Sequence, residues 1–439
     1  MIICKMRTLA LLLTVGGGLL AQDGLTVAEA IRRAWKDQAG LKSGRALAES
    51  RREEASGQRD LRLPTLTLNA QGVRTDEPMM AFGMKLNQSR ITAMDFNPSS
   101  LNRPDPIAGF GGSAVLRQPL YTGGRLGAAR AAGDFSAQGE AASQARREQE
   151  AALAVVEAYF GAQVAEQALV WVADTRTWVQ GLQAFVGARV AQGLMLEAEL
   201  QRLKAFGAQV EAQGAETTRQ LRTARSGLGL LTGTGPVEGP LATPLSEAPA
   251  GPSAASTSGS RGDLQAAEFQ AKAAAQAARA AKGSLLPEVG LELGAGTLRQ
   301  SWSQGGTWTW AALGVSWKVF SAPDQSKARA ARAQARSAEE MWTFKRQQAQ
   351  HEVRAAREAV VAAEARHAAA RESLAAATES RRLREARHRE GLTPLTDVLD
   401  AEAAVQGART LLLQSLYDLR VSRAALDLAT GAPIEGVTP

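Results

Sequence analysis

From Leu395 onward, apolar residues return every seven positions at Val398, Val405, Leu412, Leu419 and Leu426, with no proline among them. That spacing predicts a helix with a narrow apolar seam, which needs a neighbouring helix to cover it. The same spacing at Leu196, Leu203 and Val210 predicts a helix from Gly193 to Leu231. Leu153, Val156, Phe160 and Val164 follow helical spacing too and predict one over 125–190. At about 1.5 Å per residue this helix alone would reach roughly 100 Å, far longer than a globular domain requires. A first helix is expected from Leu25 to Asp60, opened by Thr26 as N-cap with Glu29 completing a capping box. Others are expected from Arg261 to Lys282 and from Pro323 to Glu390, the last unbroken by further Pro or Gly.

Short runs between these helices switch to the period of a strand. Apolar and polar side chains alternate near 65–72, 112–120, 288–295 and 308–319, which predicts four strands with two unlike faces. Leu63-Pro64 and Leu286-Pro287 lead into the first and third. Val73 to Phe110, rich in Pro, Asn, Gly and Met, has no sustained period and is expected to be a long loop. Residues 233–260 hold Pro236, Pro240, Pro244, Pro249 and Pro252 among Gly, Ser and Thr, the composition of a linker.

Sliding the C-terminal segment back lays Gly391-Leu392 over Gly193-Leu194, and Leu428-Ala429-Thr430-Gly431 over Leu230-Leu231-Thr232-Gly233. One helix design thus occurs twice. The expected organisation is a signal peptide over 1–21, a first repeat over 22–232, the Pro-rich linker over 233–260, a second repeat over 261–431 and a tail over 432–439.

Composition agrees with long, closely packed helices: 45% of residues are hydrophobic but only 5% aromatic, and the apolar content is largely Ala. Lys5 and Arg7 precede the uncharged run from Leu9 to Ala21, too short to span a bilayer as a helix, so it reads as a secretory signal. Ala21 is the expected last residue of that signal, with a bulky Leu19 at minus three. The single cysteine, Cys4, lies inside it, which leaves no thiol or disulfide chemistry in the exported chain. Without Lys5 and Arg7 the net charge falls from +7 to about +5, and Arg and Glu are interspersed through 329–390, so nucleic acid is not an expected partner.

Four strands cannot close a barrel alone, and their open edges would aggregate unless paired. In an exported chain the remedy is several copies sharing one barrel, since only helices and closed barrels span lipid. Trp302, Trp308, Trp310 and Trp317 suit interfacial aromatic girdles, or the packing of a soluble sheet.

The N-terminal Leu-Thr-Val-Ala-Glu-Ala-Ile, the doubled Leu-Pro before a strand, Gln118-Pro119-Leu120-Tyr121-Thr122-Gly123-Gly124-Arg125 and Gly391 to Glu402 occur in an order that resembles the TolC-type outer-membrane efflux proteins. The resemblance spans about Leu25 to Gly431. It implies a mainly α fold with a small β part: duplicated long helical hairpins and four transmembrane strands, three copies sharing a 12-stranded barrel above a periplasmic tunnel. It implies a passive export conduit of tripartite efflux or type I secretion that works with a periplasmic adaptor and an inner-membrane pump.

In that family the hairpin tips receive the adaptor, and Gly193, Leu194, Gly391, Leu392 and Thr393 match those tips. Constriction-ring aspartates of the family match Asp397 and Asp400, which lie three apart on one helix face. Read from the residues alone, the two aspartates are acids in the first turns of a helix with Thr393 as N-cap and Pro394 at N1, where the macrodipole favours them. Thr393 stands where some members carry an arginine of the closed-state latch, and His388 near a tyrosine, which implies a latch built differently.

Other chemistry finds little support. His351, His367 and His388 are not spaced for a metal site and are expected on solvated helix faces. Met79, Met80, Met84 and Met94 are expected in a loop over the barrel mouth, with Cu(I) handling the rival reading. No nucleophile and base arrangement is evident, so the chain is expected to be a non-enzyme without cofactors. The alternative function is a periplasmic coiled-coil scaffold or adaptor, which normally has one hairpin rather than two.

Overall fold

A computed structural model describes residues 24–246, 261–303 and 305–437. The expected signal, 247–260 of the expected linker and the end of the tail lie outside the described residues. The chain runs α1 (Val27–Asp37), α2 (Ala39–Asp60), β1 (Thr65–Thr75), α3 (Pro78–Asn87), α4 (Pro98–Asn102), β2 (Ile107–Thr122), α5 (Arg125–Ala191) and α6 (Glu197–Thr232). It continues through α7 (Gly262–Gly283), β3 (Glu288–Arg299), β4 (Gly305–Ser316), α8 (Ala322–Arg389) and α9 (Leu395–Thr430). The helices α5 and α8, at 67 and 68 residues, carry the molecule's length, and α6 and α9 fold back along them.

The expected first helix is two. Thr26 caps α1 as anticipated, accepting from the Glu29 amide at 3.2 Å, although the Glu29 carboxylate pairs with Arg33 instead of returning to the cap. The backbone turns extended at Gln38 because the two sides have different destinations. Val27, Ala30, Ile31, Ala34 and Trp35 enter the main apolar cluster beside Val155, Val156, Tyr159 and Phe160 of α5. Beyond the break, α2 lies along α5, where a Cβ at Gly44 would collide with Gln144.

The described start of the Pro-rich segment, up to Ser246, is a strap rather than a free tether. Leu241 bridges Leu25, and the buried Tyr159 hydroxyl donates to Leu25 O at 2.6 Å while accepting from Thr243 N at 2.8 Å. Arg420, stacked 4.8 Å from the Phe160 ring centroid, donates to Ser246 O and Pro244 O.

All four strands form one antiparallel sheet in the order β1-β2-β3-β4. Residues directly opposite one another share a face, and faces alternate along each strand. One face carries the row Leu66, Leu116, Leu293 and Ala311 and the row Leu68, Ala114, Ala295 and Thr309, with Val289, Leu291, Leu313 and Val315 continuing it. The other carries Thr65, Arg117, Glu292 and Ala312, then Asn69, Ser113, Gly296 and Trp308, and includes an Arg117–Glu292 ion pair at 3.3 Å. The apolar face is exposed, with Leu68 at 74%. Among the described residues, β1 and β4 each lack a partner on their outer edge.

The long loop expected after β1 is largely ordered, and its strands run further than the alternation alone suggested. Helix α3 lies across the polar face at the end away from the long helices, burying Ala81 and Met84 against Val73, Ile107 and Leu298. Gln88, also buried, donates to Ala108 O at 3.1 Å. A hydrogen bond from Lys85, then those from Thr92, hold the Asp95 carboxyl down to about 2, which ties the far side of the loop to α3. Met79, Met80 and Met94 stay exposed while Met84 is packed, so the four do not converge.

Candidate functional site: the paired hairpin tips and the polar seam above them

At the end opposite the sheet, α5 hands over to α6 and α8 to α9 through turns of one design. Gly193 at φ +72° and Gly391 at φ +79° occupy the left-handed region, where a Cβ is strained. The Gly193 amide donates to Val190 O and that of Leu194 to Arg189 O; the Gly391 amide donates to His388 O and that of Leu392 to Arg387 O, all at 2.9 Å. Both turns are Schellman motifs, which satisfy the last carbonyls of α5 and α8 and force the next leucine outward. Leu194 and Leu392 are accordingly exposed, and they flank a cleft of about 410 Å³ that is also lined by Met195, Glu199, His388 and Thr393.

His388 is 2% exposed, against expectation, because it fills the space inside its turn. Its Nδ1 lies 2.8 Å from Thr393 O. A carbonyl only accepts, so Nδ1 carries the proton and, in the neutral ring, Nε2 offers a lone pair. That Nε2 is buried and has no hydrogen-bond partner among the described residues. His367 is buried as well, its Nδ1 3.1 Å from Ser415 Oγ of α9, and only His351 sits on an exposed face.

Helix α9 begins one residue later than expected. Pro394 is the N-cap, with extended backbone, and the Thr393 hydroxyl donates to Arg384 O at 3.4 Å instead of capping. The cause is Leu395, which is drawn with Val398 and Leu399 into a cluster of Val179, Leu182 and Val186 from α5 and Leu203 from α6. Packing these three inward turns Asp397 to a half-buried position and Asp400 outward. Neither carboxylate forms an ion pair among the described residues, so both remain available to solvent or to another chain.

One turn further along α9 lies a polar cluster that the sequence reading did not single out. Glu402 is 0% exposed, and Arg381 of α8 donates to its Oε2 at 2.7 Å. Thr175 of α5 and Gln406 donate to its Oε1. Arg381 also stands 5.7 Å from the centroid of Trp178, whose Nε1–H donates to Glu385 at 3.1 Å. Three helices are therefore joined through one buried carboxylate. The signal was present: Glu402 is four beyond Val398 and three before Val405, a charged residue on the apolar stripe.

The sequence that folds into these duplicated hairpins below a small exposed sheet matches the family of outer membrane efflux proteins over residues 30–234 and 256–432. The chain belongs to that family. Its members are outer-membrane channels whose long helices stand in the periplasm, and the scaffold alternative finds no support. The unmatched stretch between the two segments falls in the Pro-rich segment. No curated protein sequence matches the chain. Among solved structures, a membrane protein from Pseudomonas aeruginosa is similar at TM-score 0.79 and 19% identity over 92% of each chain. The outer membrane protein VceC from Vibrio cholerae is similar at 0.78 and 18%, over 93% of this chain and 96% of its own. The MtrE outer membrane channel of Neisseria gonorrhoeae, solved in an open state, is similar at 0.76 and 19%, over 94% and 90%. At such identities the likeness is one of fold. No helix among the described residues is long and apolar enough to cross a membrane.

Proposed function

We propose that three copies of this chain close one twelve-stranded barrel and stack their hairpins into a tunnel that passes solutes outward without chemistry. The observation that carries this reading is the sheet, exposed and apolar on one face, polar on the other and unpaired at both β1 and β4. Two copies would give eight strands, whose interior side chains fill; three leave an open lumen. The repeats over 22–232 and 261–431 would each supply one strand pair and one hairpin. Helix α8 favours the same assembly, for only Ala328, Ala349, Ala363, His367, Ala370 and His388 are buried along it, and Met341, Phe344 and Val361 await cover. Light scattering on protein extracted from separated membranes is expected to give a trimer from the outer-membrane fraction. A monomer in the soluble periplasmic fraction would overturn the reading.

The tips fit an adaptor protein that feeds the tunnel from an inner-membrane pump. Two outward leucines beside the cleft suit an apolar side chain of the partner. Asp397 and Asp400 would form acidic rings around the threefold axis near those tips, favouring cations. In planar bilayers the Asp397→Ala/Asp400→Ala channel is expected to lose block by multivalent cations added from the tip side by about tenfold or more. Unchanged block would remove both residues from the constriction.

A further inference from the structure

Tryptophans that anchor a barrel at the membrane interfaces belong on its lipid face. Two of the four expected there comply: Trp317 extends the apolar face at the helix end, where Tyr121 also lies, and Trp302 packs against Phe110 of that face, centroids 5.5 Å apart, at the far end. Along β2 the span from Phe110 to Tyr121, at about 3.3 Å per residue and a tilt of roughly 40°, covers about 28 Å, close to the apolar band of an outer-membrane barrel. Trp308 and Trp310 do not comply. Their register places them with Ser113, Asn69, Val115 and Thr67 on the polar face, between the two girdles.

We propose that Trp308 and Trp310 form a lumenal binding site for organic cations in transit through the barrel. The proposal rests on the trimeric barrel reading above, in which the polar face lines the lumen. Each indole lies over the glycine opposite it on β3: a Cβ at Gly294 would stand 2.3 Å from Trp310 Cε2, and one at Gly296 would stand 2.5 Å from Trp308 Cζ2. One ring face is therefore spent on the barrel wall while the other is left open, with the residues 39% and 37% exposed. Neither indole N–H donates to a protein group among the described residues. The side chains level with them are neutral; Arg117 is paired with Glu292 on the tunnel side and Lys85 with Asp95 towards the mouth, where Arg90 donates to the neutral Gln88. What remains to select a solute at this level is the negative face of the indole.

That face attracts cations that shed water easily, at about 0.5–2 kcal/mol per ring, and six rings face the lumen of a trimer. Attraction of this size delays an organic cation without trapping it, as passage through a pore requires. Small hydrated cations gain little, because stripping their water costs more than the ring returns.

The test uses channels carrying Asp397→Ala/Asp400→Ala in planar bilayers, so that block at the acidic constriction is absent. Tetraphenylphosphonium is added on the barrel side, and tetraphenylborate, of the same shape and opposite charge, at the opposite voltage. The cation is expected to block about tenfold more strongly than the anion, and Trp308→Leu/Trp310→Leu is expected to remove that difference while Trp308→Phe/Trp310→Phe retains part of it. Equal block by the two ions in the parent channel, or an undiminished difference in a conducting leucine variant, would overturn the site. Absence of any channel from the unsubstituted protein would overturn the barrel reading, and the site with it.

Discussion

Replacing Arg381 with methionine is expected to lower the stability of the helical part by about 3–5 kcal/mol, the usual penalty for leaving a buried charge without its partner. Glu402 has no route to water: it is fully buried, and its remaining partners, Thr175 and Gln406, are neutral donors. Arg381 also covers Trp178, so methionine is chosen to keep apolar contact there. The companion variant Arg381→Met/Glu402→Gln removes the charge but keeps an oxygen for the Thr175 hydroxyl. It is expected to recover stability to within about 1 kcal/mol of the parent, since a buried ion pair contributes little beyond a well-packed neutral replacement. Urea titration of the helical circular dichroism signal, run on parent, single and double variants in one detergent, checks both values. A single variant as stable as the parent would mean that Glu402 is not held by Arg381 in solution.

Leu68→Arg tests the direction of the sheet. Placed near the middle of the apolar face, an arginine is expected to cost about 2–4 kcal/mol per chain, with a corresponding fall in outer-membrane trimer. Asn69→Arg, one residue further, points to the polar face beside Ser113 and is expected to change the yield little. The contrast between adjacent positions matters more than either number, because a general disturbance of β1 would affect both. Equal loss at the two sites would mean that the lipid-facing side has been assigned wrongly. Both variants are read by the same assay, folding yield into bilayers together with trimer recovered from outer membranes.

Much of this architecture could be read from spacing alone. The seam from Val398 to Leu426, the doubled Gly-Leu turns and the alternation after each Leu-Pro are local patterns, and local patterns survive in a single sequence. What escaped was decided by partners distant in the chain. Gln38 breaks a continuous run of helix formers because Trp35 has a place beside α5 and α2 has another. Helix α3 offers only Ala81, Met84 and Gln88 as a buried stripe, too short a period to stand out beside its glycine and methionines. Trp308 and Trp310 looked like Trp317 until register separated even from odd positions, and one step along a strand exchanges lipid for lumen. Arg381 and Glu402 lie on different helices, so nothing in their spacing joins them. Thr393 and Pro394 carry an N-terminal helix signature, yet Leu395, drawn into the cluster below, moves the start of α9 by one residue.

In the proposed trimer, the sheet order determines how tightly the barrel holds. Going round a closed trimer, the seam between β2 and β3 recurs three times, and so does the seam between β4 of one copy and β1 of the next. The two kinds of seam join equivalent strands of the two halves, but only the first is tethered through α5, α6 and α7. A tethered seam forms at a fixed effective concentration, whatever the amount of protein present. The untethered three depend on how many copies share the bilayer, so dilution loosens the barrel along three lines and leaves each four-stranded sheet whole.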